Sequence, residues 1–291
     1  MQPNRTFLFT PGNHPRKVEK VFDAGADAVI LDLEDAVAIS EKPATRALVV
    51  EALQRPRSCR GFVRVNALDT EFCFEDIDAV VAAGVDGVIL PKVERAADIE
   101  MVDWLMAGLE TRRGLIIGAI ELMPIIETGK GLANIREIAA TSTRRMKRLS
   151  FGAGDFTRDM GMEWTLAESE LAPYQAEVVL ASRVANLEPP VDTVFIHLKE
   201  AEAFALSCTR ARDAGFQGKL CIHPGQIEQA NAVFGPNEEE AAFARRVIAE
   251  FDKAEAAGSA SIQIDGYFVD YPIVEKAKRT VALADAIAAN H

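Results

Sequence analysis

The stretch Ala24-Gly25-Ala26-Asp27-Ala28-Val29-Ile30-Leu31-Asp32-Leu33-Glu34-Asp35 decides the fold. Gly25 stands where glycine closes a helix, because it accepts the backbone conformation that ends one. Ala28–Leu33 is then a short apolar run, broken only near its end by Asp32. A run of that length without polar alternation reads as a strand buried on both faces. The same phrase returns as Ala83-Gly84-Val85-Asp86 ahead of Gly87–Leu90. A helix, a glycine, a buried strand and a polar strand end, met twice, form the unit of a parallel α/β architecture.

Working outward, short apolar runs of this kind occur at Thr6–Phe9, Ala28–Leu33, Phe62–Val65, Gly87–Leu90, Leu115–Leu122, Arg148–Phe151, Thr193–His197 and Lys219–Ile222, with amphipathic segments between them. Eight such strands predict an α/β fold of the (β/α)8 TIM-barrel class. Ile99, Val102, Met106 and Leu109 recur at three- and four-residue spacing and mark the buried stripe of one covering helix. The last part of the chain exceeds what eight units need. Pro236-Asn237 followed by three glutamates starts a helix with the stripe Phe243, Val247 and Phe251, Gly258 to Ser261 breaks it, and Ile262–Val269 contains a turn. Pro272 opens a final helix through Ala286. The predicted organisation is a catalytic barrel over residues 1–230 and a C-terminal helical arm over residues 231–291.

Hydrophobic residues at 49% and charged residues at 26% suit a chain with one large core and argue against disorder. Forty-four acidic against thirty-two basic residues give a net charge of −12, which repels phosphate backbones and anionic lipid, so neither nucleic acid nor membrane is an expected partner. A local basic group, Arg5, His14, Arg16, Lys17 and Lys20, still suits an anionic ligand. Cys59, Cys73, Cys208 and Cys221 show no CxxC or finger spacing and read as free thiols in a reducing compartment. Pro3, Arg5 and Pro11 interrupt the N-terminus, which therefore lacks a signal-peptide pattern, and the expected location is the cytoplasm.

In such barrels the working residues lie at the C-terminal strand ends and in the loops that follow. Here those ends offer Asp32, Glu34 and Asp35, then Arg64, then Lys92, then Glu121 and Glu127, then Asp155 after Gly152-Ala153-Gly154, and finally His223. Glu127 and Asp155 follow adjacent strands and can converge on one ion, with Asp32, Glu34 or Asp35 near enough to hold its waters. Oxygen ligands without cysteine or clustered histidine favour Mg²⁺, or Mn²⁺, over zinc. A single acid is more often a cap or a surface charge, but three acidic strand ends together favour a metal site. Arg64 ends an apolar strand, where a guanidinium either pairs with an acid or holds a ligand. The small residues Gly152 to Gly154 either let backbone N–H groups reach a substrate carboxylate or form a tight turn. Pro272 at the first helical position would make Tyr271 the N-cap, so capping explains Asp270 imperfectly and leaves room for a catalytic role. His14 reads as a ligand contact and His223 as structural.

The phrases Arg5-Thr-Phe-Leu-Phe-Thr-Pro-Gly12, Leu31-Asp-Leu-Glu-Asp-Ala-Val37, Val63-Arg-Val-Asn66, Leu90-Pro-Lys92, Ile126-Glu-Thr128, Phe151-Gly-Ala-Gly-Asp155, Ile222-His-Pro-Gly225 and Val269-Asp-Tyr-Pro272 occur in one order along the chain. Together they resemble the family of citrate lyase β subunits, malyl-CoA lyases and citramalyl-CoA lyases. The resemblance implies a Mg²⁺-dependent carbon–carbon lyase acting on a short hydroxyacyl-CoA or other thioester and assembled as a homotrimer or dimer of trimers. It implies Glu127 and Asp155 as metal ligands, Arg64 at the thioester end of the substrate, and Asp270 as an acid/base carried on an arm that closes over a neighbouring subunit. Phe9, His14, Arg16, Lys20 and Gly154 are the further expected substrate contacts. The chain departs from the malyl-CoA lyase branch at Asn13-His14-Pro15-Arg16, where that branch carries a second arginine after Pro-Gly-Ser, so Arg16, Lys17 and Lys20 stand as substitutes for phosphate contacts. Two rival readings are a metal-dependent aldolase of free 2-oxo or hydroxy acids and a non-catalytic thioester-binding subunit.

Overall fold

The computed structural model describes residues 3–141 and 143–289. Eight parallel strands close a barrel in sequence order: β1 (Thr6–Pro11), β2 (Ala28–Asp32), β3 (Arg60–Arg64), β4 (Gly87–Leu90), β5 (Glu121–Ile126), β6 (Ser150–Phe151), β7 (Val191–Asp192) and β8 (Gly218–Cys221). Each is followed by one or two helices, so the predicted (β/α)8 TIM-barrel class is the observed one. Gly25 and Gly84 adopt φ of 75° and 90° between helix and strand, the left-handed geometry that an L side chain resists.

Side chains along a strand alternate between faces, and that alternation builds the core. Phe7, Ala28, Ile30, Phe62, Ile89, Met123, Ile125, Val191 and Leu220 form one buried cluster inside the barrel. Phe7 and Phe62 meet edge to face at 5.5 Å, and fully burying one such ring contributes about 1.5–3 kcal/mol. Two residues further along β2 and β3 the same alternation delivers Asp32 and Arg64 to the interior face at the C-terminal rim. Two residues the other way it delivers Arg60 and Glu121 to the opposite end, where they pair at 2.6 Å. Arg148 lies 3.5 Å from Glu121, and both arginines donate to Asn4.

Two strands differ from expectation. The run Leu115–Leu122 is mostly loop: Ile116 and Ile117 are 79% and 63% exposed, Gly118 takes φ 80°, and β5 begins only at Glu121. Glu121 is therefore a closing residue of the N-terminal end and not a rim residue. The run Thr193–His197 lies beyond β7, which is confined to Val191–Asp192, and the Thr193 hydroxyl accepts from the Ala153 N–H at 2.8 Å. Arg5 likewise leaves the expected basic group, because it makes a fork to Asp27 at 2.9 and 2.7 Å as the chain enters β1.

The chain divides into two compact units, Asn4–Asn231 and a second containing the chain from Ala232 onward. In the second, Asn237 caps the helix Glu238–Ala256 by accepting from the Glu240 N–H at 2.8 Å. A hairpin of Ile262–Ile264 and Tyr267–Val269 leads to the helix Tyr271–Ala289. Val247, Phe251, Val269 and Val274 belong to its own core. All four cysteines are free thiols. Among the described residues no helix is long and apolar enough to cross a membrane.

Candidate metal centre and its arginine

Strand register sets the first pair of the site. Asp32 and Arg64, the last residues of β2 and β3, are register partners. Arg64 Nε donates to Asp32 Oδ1 at 2.7 Å and Nη2 donates to Oδ2 at 2.6 Å. The Glu34 and Ala36 N–H groups each donate to the same carboxylate at 3.0 Å. A carboxylate offers about four acceptor positions, and these four donors fill them. Asp32 is thus an anchor for Arg64, with no lone pair left for the waters of a cation. Burial alone would raise its pKa, but the Arg64 charge and the four hydrogen bonds outweigh burial and hold it below the usual carboxylate range.

Arg64 also lies 2.9 Å from Glu34 and 3.8 Å from Asp35, and its guanidinium stacks 4.9 Å from the centre of the Phe9 ring. Of the two sequence readings of Arg64, this geometry shows the ion-paired one. Asp35 is 61% exposed on its side chain and contributes little to the pairing. Glu34 is buried, and its Oε2 has ion-pair distance to Arg64 without hydrogen-bond geometry. Lys42, buried on the helix Lys42–Leu53, donates to the Leu33 and Glu34 carbonyls at 2.9 and 2.6 Å and to Asn66 at 2.7 Å, which fixes this loop.

Glu127, one residue past β5, is 4% exposed. Its Oε1 accepts from the Lys92 backbone N–H at 2.8 Å. Its other side rests against Gly152, where an added Cβ would fall 2.5 Å from Oε2. Glycine is required there by the close approach of the carboxylate. Burial, with the Glu34 and Asp155 charges beside it, pushes the Glu127 carboxyl up to about 8. Asp155 sits in the first turn of the helix Ala153–Asp159, 2.6 Å from Arg158 and 3.7 Å from the Lys92 ammonium. Lys92 Nζ also donates to Glu34.

The donors here fit a hard divalent cation. Four buried or half-buried carboxylates, Asp32, Glu34, Glu127 and Asp155, stand against Arg64, Lys92 and, behind the Glu34 loop, the buried Lys42, so the cluster is net negative when all are ionised; Arg158 is 76% exposed and counts for little. Among the described residues no three His, Cys, Asp or Glu side chains form a ready-made cage. Mg²⁺ does not need one, since it is commonly held by one or two carboxylates with its remaining positions on water and substrate.

The other expected contacts are more dispersed. His14 is the exposed N-cap residue of the helix Pro15–Val21 and makes no side-chain cap bond, and Arg16, Lys17 and Lys20 are exposed on that helix. The Gly152 and Ala153 N–H groups are already engaged by Ile126 and Thr193, which narrows the substrate-facing backbone of this turn to Gly154. His223 accepts from the Gly225 N–H at 3.0 Å and so caps a short turn. Asp270 lies in the second unit, and there the expectation for its capping is corrected: the helix begins at Tyr271, and Asp270 Oδ1 accepts from the Ile273 N–H at 3.4 Å, a long N-cap bond. Sequence reasoning gave Lys42 and Lys92 no role. Lys92 carried a signal, a cation placed next to an acidic strand-end cluster.

Known proteins share this arrangement of chain. Citrate lyase subunit beta of Leuconostoc mesenteroides subsp. cremoris is 39% identical over 97% of this chain and 93% of its own length. The (3S)-malyl-CoA thioesterase of Cereibacter sphaeroides is 37% identical over 99% and 96%. Among solved structures, CitE of Mycobacterium tuberculosis in complex with magnesium, acetoacetate and coenzyme A superposes with a TM-score of 0.76 at 27% identity, covering 97% of this chain and 98% of that one. The HpcH/HpaI aldolase/citrate lyase family matches residues 5–224, a span that holds Arg64, Lys92, Glu127 and Asp155 alike, and to that family this chain belongs.

Proposed function

We propose that the protein is a Mg²⁺-dependent lyase that cleaves, or in reverse forms, the carbon–carbon bond of a short hydroxyacyl-CoA thioester, giving an acyl-CoA and a 2-oxo acid. The observation that carries this reading is the buried Glu127 carboxyl, raised by the neighbouring Glu34 and Asp155 charges, in a net-negative cluster. Relatives named for citrate lyase and for malyl-CoA chemistry support the substrate class, and the magnesium and coenzyme A bound by CitE support the cofactor and carrier.

Glu127 and Asp155 are the residues that would hold the cation, which when bound supplies Lewis acidity to substrate oxygens. Arg64 does the work at the other end. As the hydroxyl gives up its proton to a general base, its O–H electron pair forms the C=O of the oxo group, and the bond between that carbon and the thioester α-carbon breaks, passing its electron pair to the α-carbon and the thioester oxygen. A guanidinium already locked on Asp32 needs no reorganisation to stabilise that oxygen. Phe9, stacked on Arg64, keeps the fork in plane and water away from one face. Asp270 returns a proton to the α-carbon, or removes one in condensation. We further assign Gly154, His14, Arg16 and Lys20 to substrate and coenzyme contact, a homotrimer or dimer of trimers in which the arm closes over a neighbouring subunit and delivers Asp270, and a cytoplasmic location.

The test is an assay of the purified protein with malyl-, citramalyl- and citryl-CoA, with Mg²⁺ or EDTA, following release of glyoxylate, pyruvate or oxaloacetate. One of these oxo acids should appear only with Mg²⁺, and Asp270→Asn should bind Mg²⁺ normally yet lose turnover. Release of an oxo acid from a free hydroxy acid but from no thioester would favour the aldolase reading, and Mg²⁺ binding without turnover of any thioester would favour the binding-subunit reading.

A further inference from the structure

Lys92 combines features that neither capping nor packing explains. It follows β4 with φ 53°, a left-handed conformation that an L side chain resists and that persists only where surroundings enforce it. Its backbone N–H is spent on Glu127 at 2.8 Å, and its ammonium donates to Glu34 while lying 3.7 Å from Asp155. One residue therefore touches three of the carboxylates in the cluster, from strand ends of β2, β5 and β6. Its side chain is a quarter exposed, at the open end of the site.

We propose that Lys92 is a positioning residue that serves as the internal counter-ion of the metal centre: it holds Glu34, Glu127 and Asp155 in a loadable arrangement, and its ammonium weakens the grip on the incoming divalent ion. The inference rests on the assignment of Glu127 and Asp155 as cation ligands. Without Lys92 the three carboxylates would repel one another and splay. With it, a divalent ion arriving at Asp155 meets a like charge a few ångströms away. Coulomb energy scales with the product of the charges, so the divalent ion feels twice the repulsion that a competing proton does. Removing the ammonium therefore tightens binding of the ion and loosens the empty site.

The experiment is titration of Mn²⁺ alone into metal-free wild type, Lys92→Met and Lys92→Gly by calorimetry, with thermal melts of wild type and Lys92→Met in EDTA. Methionine keeps the length of the side chain, whereas glycine relieves the left-handed backbone and keeps the N–H to Glu127. Both variants should bind Mn²⁺ about ten-fold more tightly than wild type, and metal-free Lys92→Met should melt below wild type. General damage to the site would weaken binding, so tightening reports the ammonium itself. Unchanged or weaker binding in both variants, or a metal-free Lys92→Met that melts with wild type, would overturn the role of Lys92 alone. A wild type that takes up no Mn²⁺ would overturn the metal assignment and this inference with it.

Discussion

Replacing Arg64 with methionine keeps side-chain bulk against Phe9 and removes the charge on which Asp32 depends. Two charge-assisted hydrogen bonds at 2.7 and 2.6 Å disappear, and the Asp32 carboxylate, 1% exposed, loses its ion-pair partner and keeps only the longer-range charge of Lys42. Breaking a buried pair from one side costs about 3–5 kcal/mol. The two N–H groups of Glu34 and Ala36 still reach Asp32, and Lys92 still reaches Glu34. Those survivors place the loss at the lower end, about 3 kcal/mol. For a chain of 291 residues this lowers Tm by about 5 °C. Differential scanning calorimetry of Arg64→Met, Asp32→Asn and the double variant checks the reasoning. The double variant should recover more than 1 kcal/mol relative to the sum of the single losses, because it leaves no buried charge unpaired. A single variant Arg64→Met that melts within about 1 °C of wild type would refute the idea that the pair is buried and mutually dependent.

Two further outcomes follow from the same geometry. Gly152→Ala places a methyl 2.5 Å from Glu127 Oε2 and should weaken Mg²⁺ binding by about ten-fold or more while the barrel still folds, as read by calorimetry and circular dichroism; undiminished affinity would mean that the carboxylate is not held where the metal needs it. Because burial holds Glu127 up to about 8, its ionisation is unfavourable in the metal-free protein: the stability it lends is complete below the ordinary glutamate range and is lost as pH rises through about 8. A bound cation removes that loss, so the rise in Tm on adding Mg²⁺ should grow between pH 6.5 and 9, and a shift independent of pH would contradict the assignment.

The barrel was legible because its signals are local. Each strand announces itself by a short apolar run, and glycines such as Gly25 and Gly84 mark where helices stop. Strand boundaries failed where tertiary context overrode composition. Leu115–Ile120 is apolar enough for a strand, yet the structure spends it on an exposed loop, while Pro124, a residue that usually argues against a central strand, sits within β5 beside Leu90. The rim carried a stronger signal than strand ends alone. Alternate positions such as Ala28, Ile30, Asp32 and Glu34, or Phe62 and Arg64, share one face, so once the inward apolar residues are known the charged ones at the top are inward too. What no local pattern disclosed was saturation. Asp32 looks as available as Glu34 in the sequence, and only the four donors converging on it show that it is committed to Arg64. Lys92 was visible as a strand-end cation but its role was not, since its left-handed backbone and its three carboxylate neighbours exist only after five strands have closed.

Titrating Mg²⁺ into the metal-free protein by calorimetry, alongside the variant carrying both Glu127→Ala and Asp155→Ala, bears most directly on the centre of this account. Wild type should bind one ion per chain and the double variant none, with the barrel intact by circular dichroism. A double variant that binds Mg²⁺ with wild-type affinity would contradict it.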